Sequence, residues 1–195
     1  MTRDTRHATR KNPHAVLIAY RLLLVAGTLT LGACEPSGLS SEWRRVDPPV
    51  AAPDFTLTQL DGGAVTLSKL RGRVVVLDFW ATWCGPCRFS LPSLEVIYKQ
   101  YQDHGVIVLL VNEGEEAATV RQWAQRRFTA PILLDRDEHV AQLYHATGLP
   151  TSLIIDQSGY LRYVHEGYGG GLEHSLSAIL SELLVKKQEQ PPIAE

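Results

Sequence analysis

Cysteine and methionine are scarce in this sequence, with three cysteines and one methionine among 195 residues. Three cysteines would leave one unpaired in an oxidising compartment, so one of them needs a fate other than an internal disulfide. The single methionine is Met1. The lack of any other methionine argues against a Cu(I)-binding protein, because such proteins often use methionine as a ligand.

Long apolar runs and a large excess of either charge are also absent. Hydrophobic residues make up 45% of the chain and charged residues 21%, which is ordinary for a globular protein and does not indicate wholesale disorder. The net charge of −2 combines a balance of +4 in residues 1–33 with −6 in the rest of the chain. Because the remainder is acidic, we expect no nucleic-acid partner.

The first 33 residues have the pattern of a signal peptide. Basic residues up to Arg21 precede an apolar run over residues 22–31. This run is far shorter than the ~20 residues needed to cross a bilayer, but it suits a signal-peptide core. It ends at Leu31-Gly32-Ala33-Cys34, which resembles the lipobox of bacterial lipoprotein precursors. In that interpretation Cys34 is acylated and becomes the mature N-terminus. The alternatives are an ordinary secretory signal, or an uncleaved anchor with a free Cys34.

The chain is predicted to have four parts: a lipoprotein signal peptide (1–33), a flexible tether (34–50), one domain (51–187) and a frayed C-terminus (188–195). The tether contains prolines and lacks hydrophobic periodicity. This organisation predicts an extracytoplasmic protein held at a bacterial membrane by its lipid, on the periplasmic side in a Gram-negative cell. Lipidation of Cys34 would leave Cys84 and Cys87 as a balanced pair.

Short apolar segments alternate with longer amphipathic ones along the domain. The run over residues 74–80 is apolar apart from Asp78, as expected of a central strand covered on both faces. Segments on either side of Asp61-Gly62-Gly63 predict a hairpin. Further strands are predicted at 106–111, 132–134, 152–155 and 160–165, and helices at 88–103, 116–128, 137–146 and 172–185. The order predicts an α/β fold, a central mixed β-sheet flanked by helices with an N-terminal β-hairpin extension.

The strongest chemical signal is Trp83-Cys84-Gly85-Pro86-Cys87, directly after the apolar strand. Two cysteines at this spacing at a helix start can close a disulfide with little movement. The N–H groups and the dipole of the helix lower the pKa of the first thiol. Cys84 is therefore predicted to attack disulfides and Cys87 to resolve the mixed disulfide. A static disulfide is the alternative, as is half of a zinc site, although the chain has no second cysteine pair to complete one.

The segment Phe79–Cys87 resembles the active site of thioredoxins. Residues 52–57 (Ala-Pro-Asp-Phe-Thr-Leu), 67–72 (Leu-Ser-Lys-Leu-Arg-Gly) and 148–151 (Gly-Leu-Pro-Thr) are similar to the extracytoplasmic TlpA/ResA-like branch. The resemblance implies the thioredoxin fold, and a site in which Trp83, Gly85, Pro86, Leu149 and Thr151 surround the cysteines. It also implies a cis proline beside the disulfide, at Pro150.

The same resemblance implies a function. Such proteins reduce disulfides of extracytoplasmic proteins, often apocytochrome c, and a membrane partner supplies the electrons. The redox-active disulfide is the only redox group implied, with no separate cofactor and no metal. A cis Pro150 would expose the preceding backbone for pairing with an extended substrate peptide. Without the resemblance, Pro150 would be interpreted as a trans proline that starts an edge strand.

Asp78 is a candidate proton carrier, and the chain departs from its relatives around it. A carboxylate in an apolar strand should have a raised pKa, which suits a group that shuttles the proton of Cys87. A solvated aspartate at a sheet edge is the alternative. Members of the ResA-like branch often have a glutamate three residues after the second cysteine, where this chain has Ser90. Glu113 and Glu115 follow the next strand and could line the site, although acidic loop residues are usually solvated.

Two other functions share features with this sequence. Peroxiredoxins have a similar Ala-Pro-Asp-Phe opening, but their cysteine follows a Pro-x-x-x-Thr-x-x-Cys pattern, whereas Thr82 lies only two residues before Cys84. A copper-binding chaperone would need a wider cysteine spacing and a positioned histidine. His139, His145, His165 and His174 show no spacing typical of metal ligands. The thiol–disulfide chemistry is therefore favoured over both.

The lipobox generates the first testable prediction. Cys34→Ser removes the thiol that carries the lipid, so it should abolish lipidation and move the protein out of the membrane fraction. Metabolic labelling with a radioactive fatty acid and cell fractionation measure both effects. A Cys34→Ser protein that is still labelled and still sediments with membranes would contradict the assignment.

Overall fold

The computed structural model describes residues 42–124 and 127–189. The predicted signal peptide, Cys34, tether residues 34–41 and residues 190–195 lie outside the described residues. Within the described ranges, no helix combines the length and the apolar character that a membrane span requires.

Eight strands form one mixed sheet, which confirms the predicted architecture. The sheet has the order β1-β8-β7-β4-β5-β6-β2-β3. Strands β4, β5 and β6 are parallel to one another, and every other neighbouring pair is antiparallel. The predicted N-terminal hairpin is the β2–β3 pair at one edge. The strands are β1 (Arg44–Ala51), β2 (Thr56–Gln59), β3 (Ala64–Thr66), β4 (Val74–Trp80), β5 (Val106–Glu113), β6 (Ile132–Asp135), β7 (Thr151–Ile155) and β8 (Tyr160–Glu166).

Within residues 42–124 and 127–189, four α-helices connect or follow the strands. They are α1 (Cys87–Tyr101), α2 (Ala117–Ala124), α3 (His139–Leu143) and α4 (Leu172–Glu189), and short 3₁₀ helices span Leu67–Leu70 and Gln102–His104. Helix α1 contains Pro92 and packs against α4 and β5. Helix α4 continues to Glu189 and so includes residues 188 and 189, the first two of the predicted C-terminal segment.

Strand β4 lies at the centre of the sheet, between β5 and β7. All seven of its residues are buried. Side chains alternate between the two faces of a strand, and the structure follows that rule. Val74, Val76 and Trp80 join one hydrophobic core, which also contains Cys84 and Cys87. The remaining apolar residues of β4 join a second core on the other face. The alternation puts Asp78 on the same face as the cysteines.

Residues 44–50 were predicted to belong to the tether, but they form most of strand β1. This edge strand pairs antiparallel with β8, for example Arg44 with Val164 and Ala51 with Tyr160. The register shifts between Arg45 and Val50, the stretch that contains the two prolines. Proline is accepted in edge strands and at bulges, where the missing N–H does not interrupt a ladder. The prolines therefore do not prevent a strand here.

Glu95 of α1 connects this helix to the segment before β6. Glu95 as a residue is only 6% exposed, and its carboxylate makes several hydrogen bonds. It accepts hydrogen bonds from Thr129 N at 2.9 Å, Thr129 Oγ1 at 2.6 Å and Ala130 N at 3.1 Å. The Nζ of Lys99 lies 3.1 Å away. Burial acts to raise the pKa of Glu95, but the hydrogen bonds outweigh it and hold the pKa below the ordinary value of 4.5. The ionised form therefore stabilises the fold.

We predict that Glu95→Gln lowers the free energy of unfolding at pH 7 by about 2 kcal/mol, the typical value for hydrogen bonds to a charged group. Lys99→Ala, which removes only an exposed partner, should change it by less than about 1 kcal/mol. Because the folded pKa is depressed, the contribution of Glu95 is complete above pH 4.5 and declines as the pH falls through the folded pKa. Urea unfolding at several pH values measures both effects. Equal losses in the two variants would contradict the assignment.

Candidate active site

The two cysteines lie at the turn from β4 into α1. They form a disulfide, with their Cα atoms 5.4 Å apart. Cys84 precedes the helix and is 4% exposed, whereas Cys87 is its first residue and is 0% exposed. The backbone N–H of Cys87 donates to Cys84 Sγ at 3.2 Å. The helix N-terminus thus points a donor at the first sulfur, an arrangement that stabilises a thiolate there when the pair is reduced.

A groove of about 760 Å³ opens over Cys84. Its walls come from the Trp83–Pro86 turn, from the end of β5 and from the segment that runs from α3 to β7. The lining residues are Trp83, Cys84, Gly85, Pro86, Glu113, Glu138, Gln142, His145, Ala146, Thr147, Gly148 and Leu149. Four of the predicted surrounding residues, Trp83, Gly85, Pro86 and Leu149, therefore meet here. Trp83 is 71% exposed, so its ring is available to a partner.

Pro150 lies between Leu149, which lines the groove, and Thr151, the first residue of β7. The Leu149–Pro150 peptide bond is cis, as the resemblance implies. The Thr151 hydroxyl donates to the carbonyl of Gly148 at 2.6 Å, and the N–H of Gly167 donates to the carbonyl of Pro150 at 2.8 Å. Thr151 is buried and pairs with Phe79 of β4. These bonds hold the Pro150 turn beside the end of β4, and hence beside the disulfide.

Asp78 is fully buried, on the face of β4 that also holds the cysteines. Its Oδ1 accepts a hydrogen bond from Ser152 Oγ at 2.5 Å, while its Oδ2 is buried and has no hydrogen-bond partner among the described residues. Burial raises the pKa of Asp78 to about 7, assisted by the charge of Glu113 and opposed by the Ser152 hydrogen bond. The carboxyl can thus gain or lose a proton near neutral pH.

Glu113 is a second carboxyl with a raised pKa at the site. It ends β5, is half-buried and lines the groove with Cys84. Its Oε1 is buried and finds no hydrogen-bond partner in the part of the chain that the structure describes. Burial, together with the nearby Glu138 and Asp135 carboxylates, raises the pKa of Glu113 to about 7. Acidic loop residues are usually solvated, but Glu113 forms part of the groove wall.

Glu115 holds the turn before Cys84 in place, a role that was not predicted from the sequence. Its carboxylate accepts hydrogen bonds from Thr82 N at 2.7 Å, Thr82 Oγ1 at 2.6 Å and Asn112 Nδ2 at 2.8 Å. Thr82 is two residues before Cys84, so Glu115 fixes the turn that presents the first cysteine. The order of the strands could have predicted this contact. Because β4 and β5 are parallel neighbours, the residues that follow each of them lie close together at the C-terminal ends of the two strands.

Comparisons with known proteins agree with this geometry. The profile of the AhpC/TSA family matches residues 49–164. The thiol–disulfide oxidoreductase ResA of Geobacillus thermodenitrificans is 35% identical over 152 residues, which cover 77% of this chain and 87% of that protein. ResA of Geobacillus kaustophilus is 41% identical over 117 residues, 60% of this chain and 67% of that protein.

Two solved structures are similar as well. A candidate thiol:disulfide interchange protein DsbE from Chlorobium tepidum aligns with a TM-score of 0.67 and 33% identity, over 71% of this chain and 99% of that one. The exposed lipoprotein thioredoxin Etrx1 of Streptococcus pneumoniae aligns with a TM-score of 0.60 and 32% identity, over 67% of this chain and 100% of that one. With its Cys84–Cys87 pair, the chain thus belongs to the AhpC/TSA family and is a ResA-like thiol–disulfide oxidoreductase of the thioredoxin fold.

Proposed function

We propose that this protein reduces disulfides of polypeptides outside the cytoplasm, with Cys84 as the attacking and Cys87 as the resolving thiol. The observation that carries the proposal is the asymmetry of the pair. Cys84 lines an open groove, whereas Cys87 is completely enclosed. A substrate sulfur can therefore approach Cys84 from the groove, but it has no comparable path to Cys87.

The reaction is two successive exchanges in the proposed direction. The Cys84 thiolate attacks one sulfur of a substrate disulfide, that bond breaks, and the departing sulfur takes a proton. Cys87 then attacks the Cys84 sulfur of the mixed disulfide, which re-forms the protein disulfide and releases the second substrate thiol. Two electrons and two protons pass to the substrate. A dithiol on a partner protein restores the Cys84 and Cys87 thiols by the reverse exchange.

Asp78 serves this cycle as the group that accepts the proton of Cys87. A buried thiol has no water to take its proton, so the resolving step needs a base on its own side of the sheet. Asp78 is on that face, and its pKa of about 7 lets it hold the proton and give it up again at neutral pH. It acts through Cys87 and does not touch the substrate.

The substrate class and the anchor extend the proposal. The TlpA/ResA-like resemblance implies apocytochrome c as a substrate and a membrane protein as electron donor. The lipobox at Cys34 would hold the domain at the membrane surface, where such a donor is in reach. One similar structure is that of an exposed lipoprotein thioredoxin, which supports this location. Loss of cytochrome c maturation in a deletion strain, restored by wild type but not by Cys84→Ser, tests the substrate.

We expect the two single cysteine variants to behave differently toward substrates. Cys87→Ser leaves the attacking thiol without its resolving partner, so mixed disulfides through Cys84 should accumulate. Cys84→Ser should trap few or none, because Cys87 is enclosed. Non-reducing gel electrophoresis after acid quenching counts the trapped species. Equal trapping by both variants would contradict the assigned roles.

Asp78 predicts a pH dependence for the resolving step. The carboxylate form accepts the proton, so release of the reduced substrate should accelerate as the pH rises through about 7. Asp78→Asn should abolish this rise and slow the step by about 10²-fold, a typical contribution of general base catalysis. The Ser152 hydrogen bond lowers the pKa of Asp78, so Ser152→Ala should move the midpoint to higher pH. Stopped-flow fluorescence measures these rates. One midpoint shared by all three proteins would contradict the role.

The direction of the reaction predicts a reducing potential. Gly85-Pro86 is the dipeptide of thioredoxin, whose potential is about −270 mV, compared with about −120 mV for the oxidant DsbA. No histidine lies between the cysteines to stabilise the thiolate, and the Asp78 carboxylate disfavours a second charge nearby. We therefore expect a potential below roughly −220 mV. Equilibration in glutathione or dithiothreitol buffers, followed by the fluorescence of Trp80 and Trp83, gives the value. A potential near that of DsbA would overturn the reductase direction.

A further inference from the structure

Two aromatic side chains stack on each other at the surface beside the disulfide. Phe89 is 64% exposed and Tyr168 is 39% exposed. Their ring centroids are 5.9 Å apart and their planes make an angle of 24°. Exposed apolar rings in contact leave hydrophobic surface in water, and contiguous patches of this kind mark interaction sites more often than single exposed residues do.

Both rings are fixed to the redox site by the backbone. Phe89 is in the first turn of α1, two residues after Cys87, and its N–H donates to the carbonyl of Pro86 at 3.0 Å. Tyr168 directly follows Gly167, whose N–H donates to the carbonyl of Pro150 at 2.8 Å. The pair therefore bridges the helix that carries the cysteines and the loop that supports Pro150.

Phe89 follows the exposed Pro86 by three residues, so both lie on one face of the start of α1, next to the turn between the cysteines. Trp83, 71% exposed, and the exposed Pro86 belong to that turn. We call the set Trp83, Pro86, Phe89 and Tyr168 the apolar rim. The groove over Cys84 accounts for Trp83 and Pro86 but does not include Phe89 or Tyr168. The rim thus extends the disulfide site beyond the groove.

We propose that the Phe89–Tyr168 pair binds an apolar side chain next to the reactive cysteine of a polypeptide substrate, and so selects polypeptide disulfides with apolar neighbours over small hydrophilic disulfides. The inference rests on the proposed function and names its substrate class. The position of the pair next to the disulfide identifies what binds there. A substrate polypeptide whose disulfide reaches Cys84 must also pass over the neighbouring surface, where Phe89 and Tyr168 lie. Stacked aromatic rings give large apolar contact area at a small cost in side-chain entropy, which suits varied aliphatic and aromatic partners.

The test compares three disulfides with the full-length protein, reduced beforehand with dithiothreitol and then freed of it. Two are synthetic peptide disulfides that differ only in the residue after the cysteine, leucine or serine, and the third is oxidised glutathione. The variants are Phe89→Ala, Tyr168→Ala and Tyr168→Phe. Tyr160→Ala is the matched control, because Tyr160 is 44% exposed but lies at the opposite end of β8. Tryptophan fluorescence reports the second-order rate constant of oxidation.

Wild type should react about tenfold faster with the leucine peptide than with the serine peptide, as expected from burial of most of one leucine side chain. Phe89→Ala and Tyr168→Ala should each reduce this ratio to below about threefold. Their rates with oxidised glutathione should equal that of wild type. Tyr168→Phe and Tyr160→Ala should keep the full ratio.

Different failures have different meanings. A wild-type protein that exchanges with none of the three disulfides would contradict the proposed function itself. Normal exchange without a preference for leucine, or a preference that survives both alanine substitutions, would overturn only the inference. A preference lost together with the glutathione rate would also overturn it, since the substitution would then have disturbed the disulfide site. So would a wild-type dimer in sedimentation that Phe89→Ala dissociates, because a second copy would then occupy the rim.

Discussion

Seven consecutive side chains of β4 are shielded from water, and this burial requires a neighbouring strand on each side and a packed layer on each face. Strand β5 runs parallel to β4, and β7 runs antiparallel to it. The C-terminal ends of β4 and β5 and the N-terminal start of β7 consequently lie next to one another. The cysteine turn, Glu113 and Pro150 lie together for this reason. The site is a consequence of how the central strand is covered.

Asp78 is the one ionisable residue of that buried strand, and its burial costs free energy. A carboxyl without water loses most of the stabilisation of its ionised form. Among residues 42–124 and 127–189, only one of its oxygens has a hydrogen-bond partner, the Ser152 hydroxyl. Its folded pKa of about 7 is raised from 3.8, so ionising Asp78 at higher pH works against the stability of the fold. An apolar residue would pack here without that cost. The carboxyl therefore makes physical sense as a proton carrier for the enclosed Cys87 thiol, not as a stabilising element.

The parts of the fold that depend on local pattern were predictable. The apolar run of β4, the hairpin around Gly62 and the helix start at Cys87 each follow from residues close in sequence. Strand β1 was not predictable in this way, because its partner, β8, lies more than a hundred residues along the chain and its prolines indicate a loop. Glu115 was missed for the same reason. Whether a loop carboxylate is solvated or accepts three hydrogen bonds depends on where Thr82 and Asn112 arrive, which is a property of the β4–β5 register.

Both charged and apolar groups surround the redox site. The groove wall carries the carboxyls of Glu113 and Glu138, whereas the apolar rim includes the stacked rings of Phe89 and Tyr168. A carboxylate next to a thiolate raises the free energy of the thiolate. Ionisation of Glu113 above its pKa of about 7 should therefore favour release of electrons from the dithiol, in the proposed reducing direction. The same negative charge disfavours acidic peptides in the groove. Charge in the groove thus acts on the sulfur chemistry, whereas the Phe89–Tyr168 pair lies outside the groove lining and offers apolar contact to a polypeptide.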